Sequence, residues 1–169
     1  MVPEWLLGFV IGPQIIMGIA KEHRVDPHLV LAMVQVESSG GRRLTRYEPH
    51  VKDLVTPGDW AHSLGISHVT EITHQKTSWG PMHILGSTAR DEGFEGEIPL
   101  LIYPETGLHW GCKFLRKQFI RYDDNMVDAV AAYNGGSARY QSNGMLDPKL
   151  RRYVDKVMGY YREIKKDIP

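Results

Sequence analysis

A carboxylate set in an apolar stripe is the residue whose type and position point first to chemistry. Leu29, Met33 and Glu37 are spaced i, i+4, i+8, so on a helix they share a face and Glu37 carries it into the last turn. Apolar surroundings favour the neutral acid, and the negative end of the helix dipole pushes the same way. A glutamic acid that keeps its proton near neutrality is what a general acid needs, with a pKa of about 6–7. The same spacing also fits a Glu at a fraying helix end that points into water, and periodicity does not separate the two readings.

The element that must position this group is short and well delimited. Asp26 is a good N-cap, Pro27 suits the first helical position, and Gly40-Gly41 supplies a stop. The residues between are almost wholly apolar, so a helix over 26–39 should be buried on most sides. Downstream, the text from Arg42 to Thr77 is loop-like, with short helices expected near Asp59–Leu64 and Ser67–His74 and one small β-hairpin within Arg42–Val55. Such a segment can form one wall of a cleft. Ile84–Glu92 reads as a short helix ended by Gly93, and Phe94–Pro104 as a connector. Glu105–Arg121 reads as a helix whose buried face holds Leu108, Cys112, Leu115 and Phe119. Asn125 can cap a helix over Met126–Tyr133, and Asp147-Pro148 opens a last helix with a stripe of Leu150, Val154, Val157, Tyr161 and Ile164. The chain is expected to be mainly α, a single domain over 1–169.

Composition removes several function classes. The 20 Lys and Arg balance the 20 Asp and Glu, which gives no argument for nucleic acid or an anionic membrane as partner. The single Cys112 excludes an intrachain disulfide and leaves the redox compartment open. His62, His68 and His74 show no ligand pattern, and neither HExxH nor a Cys cluster accompanies them, so no metal and no cofactor are expected. The apolar run Trp5–Ala20 is too short to span a membrane, is interrupted by Pro13-Gln14, and has Glu4 where an export signal would be basic. It reads as a core helix, with no stable membrane insertion and no clear signal peptide.

Three short motifs then fall in order: Glu37-Ser38 at a helix end, Ser78-Trp79-Gly80-Pro81-Met82-His83-Ile84 before Thr88-Ala89, and Ala131-Ala132-Tyr133-Asn134-Gly135-Gly136. Together with Tyr153-Val154 they resemble the soluble lytic transglycosylase family, whose catalytic domain has the goose-type lysozyme fold. The resemblance runs from about Val25 to Val157. The phrasing Arg46-Tyr47-Glu48 and Lys76–Gly80 is similar to short phage and prophage members. Two residues depart from the family's G-L-M-Q turn, Pro81 for Leu and His83 for Gln. Pro removes a backbone donor, and an imidazole makes hydrogen bonding depend on protonation near pH 6–7.

The resemblance implies a lysozyme-like helical domain with a substrate cleft that cuts peptidoglycan glycan strands. Glu37 would protonate the bond between N-acetylmuramic acid and N-acetylglucosamine and then, as base, close a 1,6-anhydro ring. It further implies that Tyr133 reaches toward Glu37 or the substrate N-acetyl group, that Asn134 shapes the turn, and that Met82 lines the sugar-binding floor. Gly80 would allow close backbone approach, and His83 would keep part of the glutamine's hydrogen bonding. Tyr153 is either a packing residue or part of the site, and Ser38 and Ser78 are hydroxyls near the cleft. Two other readings stand beside this one. A hydrolase would use a second carboxylate about 5–9.5 Å away, with Glu48 or Glu71 the nearest in sequence and Asp53 and Asp59 behind them. A non-catalytic glycan-binding module on the same fold is the other. The expected place of action is the cell wall or periplasm, reached by phage delivery, in a virion or by another release route, and the expected state is a monomer.

Overall fold

The computed structural model describes residues 8–168. In chain order the elements are α1 (Pro13–Glu22), α2 (Pro27–Ser38), β1 (Thr45–Tyr47), α3 (Pro57–Leu64), α4 (His68–Gln75), β2 (Thr77–Trp79), β3 (Ile84–Leu85), α5 (Gly86–Asp91), a 3₁₀ turn (Ile98–Ile102), α6 (Pro104–Arg121), α7 (Met126–Gly135) and α8 (Pro148–Asp167). The fold is mainly helical, as expected, with a small three-stranded sheet.

α2 is the helix around which the others gather. The Asp26 carboxylate accepts from the His28 N–H at 2.9 Å and satisfies one of the free donors of the first turn. Residues 29–34 are completely buried, as a helix apolar on every side requires. α1 and α8 pack against α2, α6 against α1 and α7, and α7 against α8. One apolar core joins these five helices, including Ile16, Leu29, Met33, Leu108, Leu115, Val130, Leu150 and Val157. A smaller cluster of Ile84, Ala89, Phe94, Ile98 and Leu101 lies under the second part of the chain. The caps expected at Asn125 and Asp147 both form, to Asp128 N at 3.1 Å and Lys149 N at 2.9 Å.

The sheet corrects the local hairpin expected within Arg42–Val55. β1 pairs antiparallel with β2, far along the chain (Thr45 opposite Trp79, Tyr47 opposite Thr77), and β2 pairs with β3. No second strand run follows Tyr47 locally, and Pro49 lacks the N–H that a returning strand would use. The segment Ile84–Glu92 is likewise only in part a helix, because Ile84 and Leu85 complete the sheet before α5 starts at Gly86. Helix α1 begins at Pro13 instead of being interrupted there, since Pro suits the first helical position. Residues Trp5–Leu7 of the expected core helix lie outside the described ones. The α2 stop is made first by Ser39, which takes the left-handed C-cap (φ 54°) ahead of Gly40 and Gly41.

The turn between β2 and β3 is Gly80-Pro81-Met82-His83, closed by His83 N donating to Gly80 O at 3.1 Å. Pro81 therefore occupies the second position of a β-turn, where its fixed φ is an advantage and no backbone donor is needed. Gly80 (φ 76°) lies on the backbone of its own protein: a Cβ there would meet Leu101 O at 2.3 Å and Gly107 Cα at 3.2 Å. Gly107 and Gly111, one helical turn apart on α6, leave the groove in which this turn sits, for a Cβ at Gly111 would meet Met82 Sδ at 2.7 Å. Among the described residues no helix is long and apolar enough to cross a membrane.

Candidate active site

The three motifs meet at the 80–83 turn. The Ser38 hydroxyl lies 2.7 Å from Pro81 O and accepts from Gly41 N at 3.0 Å, which ties the end of α2 to the turn. Tyr133, on α7, donates its hydroxyl to Met82 O at 2.9 Å. His83 Nε2 lies 2.7 Å from Arg43 O, on the loop after α2. Each interaction satisfies a buried polar group, so the arrangement is held by hydrogen bonds that are costly to break, at about 1–3 kcal/mol for an orphaned partner.

Glu37 projects from the last turn of α2 into the cleft these contacts frame and is only 8% exposed. Burial drives its pKa up to about 7, against a smaller downward pull from the Tyr153 hydrogen bond and the Arg46 charge and an upward push from Glu48. The Tyr153 hydroxyl, from α8, donates to Glu37 Oε1 at 2.6 Å. His83 Nδ1 stands 3.7 Å from Oε2. Burial and the Glu37 charge keep the Tyr133 and Tyr153 phenols well above the ordinary tyrosine range, so both remain donors. Burial also lowers the His83 pKa, partly opposed by its bond to Arg43 O, which favours the neutral ring near pH 7.

The cleft has a volume of about 490 Å³, enough for sugar units, and Glu48, Ser78, His83, Tyr133 and Asn134 line it beside Glu37. It runs on into a second depression of about 700 Å³, with which it shares His50, Val51, Leu85, Thr88, Phe114 and Gly136. The result is an elongated groove with one buried acid in its wall. Asn134 is exposed at the end of α7, and Ser78 lies on β2 next to Arg46 across the ladder.

Several expected roles do not survive the geometry. Tyr133 bonds Met82 O and not Glu37, while Tyr153, for which packing was an equal reading, holds the acid. The Met82 side chain is fully buried against α6, with the Cys112 thiol 3.8 Å from its sulfur, so it is core and not a sugar floor. Gly80 gives close approach to Leu101 and Gly107 and does not line the cleft. Glu71 is neither a solvated loop charge nor a second carboxylate of the groove. It is fully buried, and Arg90 Nε and Nη2 bind its two oxygens at 2.9 and 3.2 Å. Glu48 does line the cleft, in an ion pair with Arg46.

Arg46, His50 and Phe114 also line the cleft, and no motif in the sequence marks them as site residues. Arg46 and Glu48 stand two apart on and just beyond β1, so strand alternation would have placed both on one face. Phe114 lies off the Leu108–Cys112–Leu115–Phe119 stripe of α6 and is only partly buried at the edge of the core, its ring 5.3 Å from that of Tyr133. In a comparison with known protein families, residues 14–154 match the family described as "Transglycosylase SLT domain".

Proposed function

Because the chain belongs to the transglycosylase SLT domain family, whose members act on peptidoglycan, we propose that it is a lytic transglycosylase that cleaves the β-1,4 bond between N-acetylmuramic acid and N-acetylglucosamine, with Glu37 as acid and then base. The observation that carries this reading is the state of Glu37: a carboxyl group buried in the groove wall, held by Tyr153 and pushed up to about 7. A group with that pKa is protonated often enough to donate near neutrality and ionised easily enough to take a proton back.

In the first step the Glu37 proton passes to the glycosidic oxygen as the bond from that oxygen to the muramic anomeric carbon breaks. The substrate's own acetamido oxygen shares the charge at that carbon, so no protein nucleophile is required. In the second step the Glu37 carboxylate accepts the proton of the muramic 6-hydroxyl. The freed oxygen then bonds the anomeric carbon, closing the 1,6-anhydro ring and releasing the acetamido group. No water enters, and the acid is restored. Tyr153 steadies Oε1 throughout, while Ser78, Asn134 and the exposed edge of Tyr133 face the sugar. Gly80 and Met82 support the reaction indirectly, by seating the turn that carries His83.

A hydrolase using Glu48 as a general base is the second reading, favoured by its place in the same cleft. Against it, Arg46 Nε already occupies Glu48 Oε1, where a general base would have to hold its water. Mass spectrometry of muropeptides released from purified peptidoglycan separates the two. The expected digest is dominated by 1,6-anhydromuramic ends; reducing muramic ends in their place would establish the hydrolase, and no cleavage at all would refute both.

A further inference from the structure

We propose that His83 is a positioning residue for the acid, presenting an unprotonated ring nitrogen to Glu37 so that the exchangeable proton resides on Oε2; this rests on Glu37 acting as acid and base. The tautomer follows from the far side of the ring. Nε2 lies 2.7 Å from Arg43 O, and a carbonyl only accepts, so the ring hydrogen is on Nε2. Nδ1 then carries a lone pair. It is buried, has no hydrogen-bond partner among the described residues, and stands 3.7 Å from Glu37 Oε2.

The two carboxyl oxygens are thereby made unequal. Oε1 accepts from the Tyr153 hydroxyl at 2.6 Å and is occupied. A proton on Oε2 finds an acceptor in the direction of Nδ1, whereas an ionised Oε2 faces a lone pair and gains nothing from it. At 3.7 Å the contact exceeds a normal hydrogen bond, so the proton is oriented without being captured and remains available to a glycosidic oxygen. The glutamine of the family motif would behave differently, because its amide can turn an N–H toward the carboxylate and stabilise the anion. The other polar groups about the pair are Arg43, Arg46, Glu48, Tyr133 and Tyr153. The two nearby arginines disfavour an imidazolium and Glu48 favours one; burial weighs against the separated charges of a His⁺–Glu⁻ pair.

Nuclear magnetic resonance of the wild-type chain tests this without reference to activity. With labelled histidine and glutamate, the His83 ring is expected to stay a neutral Nε2–H tautomer from about pH 6 to 8 while the Glu37 carboxyl titrates. An imidazolium at His83 that loses its proton in the same transition would overturn the proposal. In lysis assays, His83→Gln is expected to move the alkaline limb of the kcat profile down by about one pH unit, with little change in KM. An unmoved limb in a folded variant would also overturn it; if that variant does not fold, the wild-type spectra decide. Activity retained by Glu37→Gln would refute the acid–base reading instead, and leave the tautomer result standing by itself.

Discussion

Glu37 and Glu71 are both buried glutamates on helices of the same domain, and they are put to opposite uses. Glu71 is gripped by Arg90 through two nitrogens, and Gln75 donates to it at 3.0 Å. Arg90 in turn donates to Phe94 O and Gly96 O, each at 2.7 Å, and stacks on Trp60 at 4.1 Å. The charge is neutralised in place, and the pair fastens α3, α4 and α5 to one another. Glu37 is nearly as buried, but among the described residues its side-chain partners are a phenol and an imidazole, with no Lys or Arg in contact. Its environment favours the proton over the charge, and that is what makes it usable. Burial favours the neutral acid where no cation answers the charge, which is the state the proposed mechanism needs of Glu37.

The largest effect expected from breaking this contrast is on the reaction. Glu37→Gln keeps the shape and removes the titrating proton, so lysis of peptidoglycan should fall by about 10³-fold or more, measured by release of anhydro-muropeptides. Arg90→Met should turn Glu71 into an uncompensated buried charge and destabilise the protein by about 3–5 kcal/mol in urea unfolding. Glu71→Gln combined with Arg90→Met should recover part of that loss.

Stability against pH reads the state of Glu37 next. The folded-state pKa of Glu37 is raised from 4.5 to about 7, so the native state binds its proton more tightly than the unfolded chain does. Its contribution is fully present below about pH 4.5 and is lost as pH rises through about 7, a change of about 3 kcal/mol at most. Glu37→Gln should abolish that slope and, near pH 8, unfold at higher urea than wild type. A smaller change is expected of Tyr153→Phe. Losing the donor to Oε1 should raise the Glu37 pKa further, so the alkaline limb of activity moves up while the rate falls about tenfold. Smallest is Glu48→Gln, expected to alter binding by less than about 1 kcal/mol and to leave the anhydro product unchanged.

How far the site could be read in advance follows the range of the interactions. Glu37 was legible because its position depends on helical spacing between a good cap and a glycine stop, all within one short segment. The 80–83 turn and the end of α7 are legible as motifs, but the neighbours that their side chains meet are not. Met82 and Gly80 face α6 because Gly107 and Gly111 open a groove there, and nothing near residue 80 announces it. Tyr133 and Tyr153 carry the same hydroxyl, and which one reaches the acid depends on how α7 and α8 are set against α2. Arg46 was missed because β1 becomes a strand only when β2 arrives beside it.

By itself the sequence determined most of the helices, the caps at Asp26, Asn125 and Asp147, the buried course of α2 and the carboxylate at its end, since each depends on residues within a few turns of one another. The tertiary structure alone decided that β1 would pair with β2, that Glu71 would meet Arg90, that Tyr153 would hold Glu37, and that His83 Nδ1 would stand beside it. Those contacts join segments far apart in the chain. Their formation depends on packing and on the matching of buried donors with acceptors, which no local pattern of residues encodes.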